Sequence, residues 1–183
     1  LQLLSEVDTV ALDKTGTLTL GKPVLEQVVA APGMDADEAL RLAGSVEQRS
    51  EHPLAAAIVA GARARGLELA TPEDFRSKTG LGATGTAAGR EVAVGAARFM
   101  TGLGVDPAPL ADAAAAAADE GGTPLYVALD GRLAALVVVA DPLKPGAREA
   151  VAALQAFGLR VLMLTGDDAR TAAAVAQSAG VDD

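Results

Sequence analysis

Asp13 closes a short aliphatic run, Val7-Asp-Thr-Val-Ala-Leu12, and is followed by Lys14-Thr15-Gly16-Thr17-Leu18-Thr19. A carboxylate is ionised near neutral pH without help, so it can attack phosphorus directly and form an aspartyl phosphate with no general base. The transferring group then needs its charge cancelled by Mg²⁺, a side-chain cation and backbone N–H donors. Lys14, the small residues Thr15, Gly16 and Thr17, and a second turn at Thr165-Gly166 are of the types that do this work. The competing reading of Asp13-Lys14 alone is a solvated pair at a strand end.

A second constellation lies between these two turns. It comprises the single histidine, His52, within Ser50-Glu51-His52-Pro53-Leu54, and Gly80-Leu81-Gly82. Glycine lets a ligand approach the main chain because no Cβ intervenes. The alternative for Gly-x-Gly is a strand bend or bulge, and the alternative for His52 is a surface residue capping local backbone.

The elements that must position these groups are set by periodicity. Val7–Leu12 reads as a strand that ends at Asp13, and Gly21-Lys22-Pro23 breaks the small, hydroxyl-rich segment after it. Asp35, with Glu38 three residues on, resembles a capping box, and its helix is expected to run to about Arg49. Pro53 suits the first position of a second helix that stops at Gly66. Phe75 to Val94 predicts strands joined by tight turns, with Gly89-Arg90 as one turn. Helices are expected at Ala96–Gly102 and across the alanine run Ala113–Ala118, read as a plain surface helix. Asp130-Gly131 predicts a two-residue hairpin turn between Leu125–Leu129 and Leu133–Ala140. The order then becomes helix (Gly146 to Phe157), strand (Leu159 to Leu164), turn, helix (Ala169 to Ala179), the signature of a parallel α/β sheet. Strand ends in such sheets gather ligands, so Asp13 and Thr165 would face one crevice if their strands are neighbours. Asp168 reads as the N-cap of the last helix rather than as a metal ligand.

Composition narrows the classes. Fifteen Lys+Arg against 24 Asp+Glu leave a net charge of −9, and aromatics are 2% of the residues, which argues against a general nucleic-acid partner. Zero cysteines exclude disulfides, thiolate metal sites and a cysteine nucleophile. The longest apolar run, Leu133 to Ala140, is far short of the roughly 20 residues that span a bilayer, so a soluble piece is expected. The first residue, Leu1, is not Met, which suggests a segment of something longer.

Asp13-Lys14-Thr15-Gly16-Thr17-Leu18-Thr19 resembles, over all seven positions, the phosphorylation signature of P-type ATPases, a branch of the haloacid-dehalogenase-like phosphotransferases. Asp141-Pro142-Leu143-Lys144-Pro145 and Met163-Leu-Thr165-Gly166-Asp167 resemble that family's further motifs in the right order. Ser50 to Leu54 resembles the SEHPL motif of the heavy-metal-transporting subgroup, and Gly80-Leu81-Gly82 and Val94-Gly95 resemble its nucleotide-domain elements. The resemblance implies Asp13 as phosphoryl acceptor, with Lys14 beside it. Thr165 and Gly166 would hold the phosphate, and Asp13 and the main chain of Thr15 would serve the Mg²⁺ site. It places Glu47 and His52 near the adenine of ATP, with Gly80, Gly82 and Gly95 around the nucleotide. Ala96 stands where the subgroup has Asn.

Phosphatases of the superfamily carry a second Asp two residues after the nucleophile; this chain has Thr15 there. A hydroxyl of high pKa cannot readily protonate a leaving group or activate water, which selects a donor such as ATP, leaving as ADP, and preserves the phosphoenzyme. The implied fold is α/β: an incomplete parallel-sheet phosphorylation domain (1–23 and 136–183) split by an inserted α+β nucleotide-binding domain with an antiparallel sheet (24–135). The implied partners are ATP and the actuator and transmembrane metal-transport domains of a parent pump, with the chain on its cytoplasmic side and copper(I), before zinc or cadmium, as cargo. The family's later lysine and Gly-Asp-Gly-x-Asn-Asp loop are absent here, so a nucleotide-binding module without turnover is the competing function; a third, a soluble phosphatase of the superfamily, is disfavoured by Thr15 and by the nucleotide motifs of the insert.

Overall fold

The computed structural model describes residues 7–181. The chain forms two compact units, one assembled from chain segments on either side of the other. The split unit comprises residues 1–22, 118–121 and 141–183, and the inserted unit residues 23–117 and 122–140.

In the split unit, β1 (Thr9–Asp13) pairs in parallel with β8 (Arg160–Leu164), with Asp13 opposite Leu164. The helices α5 (Ala147–Ala156) and α6 (Ala169–Ala179) bracket β8 in sequence. Leu18, Val151 and Val161 form the buried centre, with Leu12, Leu143, Leu154 and Met163 packed against them. The strand–turn–helix alternation thus gives the expected parallel sheet. Asp168 caps α6, its carboxylate accepting from the Arg170 N–H at 3.0 Å.

The inserted unit is a six-stranded antiparallel sheet in the order β2-β7-β6-β5-β4-β3. Its strands are β2 (Val24–Ala30), β3 (Glu73–Lys78), β4 (Gly82–Ala87), β5 (Arg90–Gly95), β6 (Thr123–Leu129) and β7 (Arg132–Ala140). One face carries α1 (Ala36–Glu47) and α2 (Pro53–Ala64), which bury Leu40, Val46 and Ile58 against Val92, Val94, Val127 and Val137. The other face carries α3 (Ala97–Gly102) and α4 (Ala111–Asp119), where Met100, Ala114 and Ala117 pack with Leu136 and Val138.

Four details differ from the sequence expectation. β2 occupies a stretch to which the sequence assigns only a preceding break; a bulge between Leu25 and Gln27 disrupts its alternation and hides the period-2 signal. The alanine helix is not a plain surface helix, because Ala114 and Ala117 are buried in the cluster with Leu136 and Val138; small side chains let α4 lie close on the sheet. The β4–β5 turn falls at Ala88-Gly89, both at positive φ, one residue before the expected pair. The boundary expected at 135/136 falls inside β7, which belongs to the six-stranded sheet as far as Ala140. The Asp130-Gly131 turn has φ of 50° and 72°, the left-handed pair that a type I′ hairpin requires.

Candidate active site and nucleotide site

Asp13 ends β1 in extended conformation (φ −66°, ψ 140°) and is exposed, one register step from Thr165 across the parallel pair. Its carboxylate has no hydrogen-bond or ion-pair partner among the described residues. The chain then makes one wide turn over Lys14–Leu18, in which Gly16 takes φ +77°. That left-handed conformation is why a glycine is needed there. The Thr19 N–H closes the turn on the Lys14 carbonyl at 3.0 Å.

Several polar groups around this turn are committed. Lys14 is buried, and its ammonium is ion-paired with Asp167. Lys144 donates from Nζ to the Gly16 carbonyl. The fully buried Thr19 hydroxyl lies 2.6 Å from Asp141 Oδ2 and 3.0 Å from the Lys14 carbonyl. Asp141 also accepts from the Gly21 and Lys22 N–H groups at 3.1 and 3.0 Å. The Leu20 N–H donates to the Pro142 carbonyl and the Lys144 N–H to the Leu18 carbonyl, each at 2.8 Å. The segment around Asp141 therefore splints the back of the Asp13 turn, a role of Thr19 and Asp141 that sequence reasoning did not assign. On the β8 side, Thr165 Oγ1 accepts from the Asp167 N–H at 3.1 Å, which leaves its own proton free to donate outward. Gly166 is exposed, with open space on its Cβ side.

The carboxylates that stand near Asp13 in the motifs are thus occupied elsewhere: Asp167 by Lys14, Asp168 by the α6 cap, Asp141 by three donors. Among the described residues no three His, Cys, Asp or Glu side chains form a metal-binding group. Asp13 remains a free carboxylate among the described residues, which fits Mg²⁺, an ion commonly held by one or two carboxylates with phosphate and water oxygens completing its shell.

In the inserted unit, Glu47 ends α1, buried, and its pKa is pushed up to about 7 by burial, partly offset by a hydrogen bond from Ser50. His52 is exposed and caps α2: Nδ1 accepts from the Leu54 N–H at 3.2 Å, while Pro53 takes the first helical position. An accepting Nδ1 places the proton of the neutral ring on Nε2, which faces away from the cap as a donor. The capping reading of His52 therefore holds, and it leaves the second nitrogen available.

Gly82 and Gly95 are cross-strand partners of β4 and β5. A Cβ on Gly82 would lie 2.3 Å from the Val94 carbonyl oxygen and 2.5 Å from the Phe99 ring. A Cβ on Gly95 would lie 2.4 Å from the Leu81 carbonyl oxygen and 2.6 Å from the same ring. The space these glycines leave is filled by the protein's own Phe99 and backbone. Gly80 differs: it has φ +69° and open space around it, so turn geometry dictates it. A cleft of about 330 Å³ lies near the N-terminal end of α1, lined by Met34, Glu38, Arg90, Asp130 and Arg132, whereas Glu47 ends the helix. Its Arg90 is ion-paired with Asp130 at 2.8 Å, and none of the sequence-expected site residues lines it.

The split unit thus sets an exposed carboxylate at the end of one parallel strand, level with a hydroxyl–glycine turn at the end of its neighbour. The chain belongs to the haloacid dehalogenase-like hydrolases, whose family description matches residues 7–183. More particularly, it is 47% identical over its whole length to "Copper-transporting ATPase 1" of Rhizobium meliloti, of which it spans 22%. A zinc-transporting PIB-type ATPase superposes on 96% of this chain and 28% of its own, with a TM-score of 0.74 and 35% identity. The N-domain of HMA6, a copper-transporting P-type ATPase, matches 64% of this chain and 98% of its own at 31% identity and a TM-score of 0.55. The chain therefore spans about a fifth of the length of the curated relative. Among the described residues no helix is long and apolar enough to cross a membrane.

Proposed function

We propose that this chain is the ATP-binding and phosphorylation region of a heavy-metal-transporting P-type ATPase, cytoplasmic in the parent protein and acting with its actuator and transmembrane metal-transport domains. The observation that carries the reading is the Asp13 carboxylate: exposed, without a hydrogen-bond or ion-pair partner among the described residues, at the head of a turn whose main chain is braced by committed groups. Asp13 attacks the γ-phosphorus of ATP, and the bond to the β,γ-bridging oxygen breaks. ADP leaves with that electron pair, needing no proton, and an acyl phosphate forms on Asp13. The Thr165 hydroxyl proton and the Gly166 N–H bind phosphoryl oxygens. Lys14 acts through its ion pair with Asp167, which ties the two strand-end turns together. Thr15 supplies no acid or base, so the acyl phosphate survives until another domain brings one. The Asp13 carboxylate and the Thr15 carbonyl would hold Mg²⁺, which would neutralise phosphate charge when bound.

The inserted unit binds the nucleotide base. A Glu47 that is about half protonated at neutral pH offers both an O–H donor and a carbonyl acceptor. That pattern fits the N1 acceptor and N6 amino donor of adenine. His52 presents Nε2–H, Gly80 provides an open main-chain turn, and Gly82 and Gly95 shape the sheet beneath it.

Copper(I) is the proposed cargo, following the names of the relatives. In membranes holding the full-length protein that carries this chain, copper(I) is expected to stimulate ATP hydrolysis more than zinc(II) does, and Asp13→Asn to abolish both. Stronger stimulation by zinc reassigns the cargo; activity that survives Asp13→Asn contradicts the mechanism.

A further inference from the structure

Two cations flank the Gly80-Leu81-Gly82 turn, and neither has a carboxylate partner among the described residues. Arg98, exposed on α3, donates from Nη2 to the Gly80 carbonyl oxygen at 2.7 Å. Lys78, exposed at the end of β3, stands opposite Gly82 in the sheet register. The turn between them is fixed: the Leu81 N–H donates to the Lys78 carbonyl, and the Ala96 N–H to the Leu81 carbonyl, each at 3.0 Å. At the opposite end of β5, by contrast, Arg90 is neutralised by Asp130. In a chain of net charge −9, two unneutralised cations on one rigid turn form a local site for an anion.

Arg98 spends one of its five N–H donors on Gly80, so the rest of the guanidinium fork is available. Ala96 offers no side-chain donor at the start of α3, which leaves Arg98 as the polar side chain reaching this turn from that helix. An arginine fork beside a lysine point charge is the donor set that holds phosphate oxygens.

We propose that Lys78 and Arg98 form a polyanion-binding lip on the Gly80-Leu81-Gly82 turn that takes the phosphate chain of the nucleotide. The proposal rests on the reading that the inserted unit binds ATP and adds the residues that make the triphosphate, rather than the base alone, a source of affinity.

Calorimetric titration of the 183-residue chain with ATP and with adenosine tests it. Wild type is expected to bind ATP more tightly than adenosine. Lys78→Ala and Arg98→Ala should each lower ATP affinity about fivefold, the scale of an exposed charge pair, with adenosine affinity unchanged. Arg98→Lys should retain most of the preference for ATP, and added salt should weaken ATP binding less in the double alanine variant than in wild type. Unchanged ATP affinity in both alanine variants overturns the proposal. So does a parallel loss of ATP and adenosine affinity, which would make Arg98 only a brace for the turn. If wild type binds ATP and adenosine equally, the lip is wrong while nucleotide binding stands; if it binds neither, the ATP-binding reading fails and the lip with it.

Discussion

The turn around Asp13 and the glycine turn of the inserted unit solve opposite problems. Around Asp13 nearly every charge is spent on a neighbour: Lys14 on Asp167, Lys144 on the Gly16 carbonyl, Asp141 on Thr19, Gly21 and Lys22. One carboxylate is left over. In the inserted unit the main chain of the glycine turn is fixed, while among the described residues Arg98 and Lys78 at that turn keep unused donors, as does His52 at the start of α2 through Nε2. Chemistry at phosphorus rewards a nucleophile that does not move, since positioning supplies much of the rate. A site that binds and releases a nucleotide is better served by donors that are free before the ligand arrives. On the proposed function, the braced main chain lies where a bond would be made and the free donors lie where a ligand would be held.

The largest expected effect that separates the two regions comes from Asp141→Ala. It removes three hydrogen bonds to a carboxylate and leaves the buried Thr19 hydroxyl short of its closest partner, a loss on the order of 4 kcal/mol to the split unit. Denaturant unfolding that resolves the two units should show the loss in that unit alone; an unchanged midpoint would deny the splint.

Next comes the pH dependence set by Glu47. Its folded pKa of about 7 lies above the ordinary 4.5, so the folded unit holds a proton that the unfolded chain releases. Below about pH 4.5 both states are protonated and nothing is lost. Stability of the inserted unit then falls as pH rises towards 7 and levels off above it, by about 3 kcal/mol in all. Glu47→Gln should flatten that slope, and a slope that survives the substitution assigns it to another group.

Gly61→Ala probes packing away from both turns. A methyl there would stand 2.2 Å from Leu25 Cδ2 and 2.6 Å from its Cβ, so α2 must lift from β2 at a cost of about 2 kcal/mol. A neutral result in thermal unfolding would mean that this edge of the sheet yields easily.

The smallest effect belongs to His52. Loss of its cap in His52→Ala should cost about 1 kcal/mol, and Asn, a good capping residue, should restore it. ATP affinity should stay low in both variants, because neither carries the Nε2 donor. Recovery of affinity in His52→Asn would reduce His52 to a cap.

Much of this arrangement was legible in the residues. The run to Asp13, the run to Leu164 and the intervening helix pattern foretell a parallel pair, and the structure places Asp13 opposite Leu164. The Asp-Gly hairpin and the Asp168 cap arise from local chemistry that tertiary packing has no reason to override. The features that escaped depend on distant contacts. β2 is defined by its pairing with β7 more than a hundred positions away and is disguised by a bulge. The Thr19–Asp141 bond joins residues 122 positions apart, and nothing in either neighbourhood announces the other. Gly82 and Gly95 read as room for a ligand, yet Phe99 fills the space their missing side chains leave. The pairing of Lys14 with Asp167 likewise turns a cation expected to face phosphate into a tie between turns.

Asp13 as the phosphoryl acceptor is the centre of the proposed function. Full-length protein incubated with γ-labelled ATP and Mg²⁺, quenched in acid and digested, should carry its label on the peptide that contains Asp13, with hydroxylamine releasing it as expected of an acyl phosphate. Label on any other peptide, or label that persists in Asp13→Asn, would contradict the account.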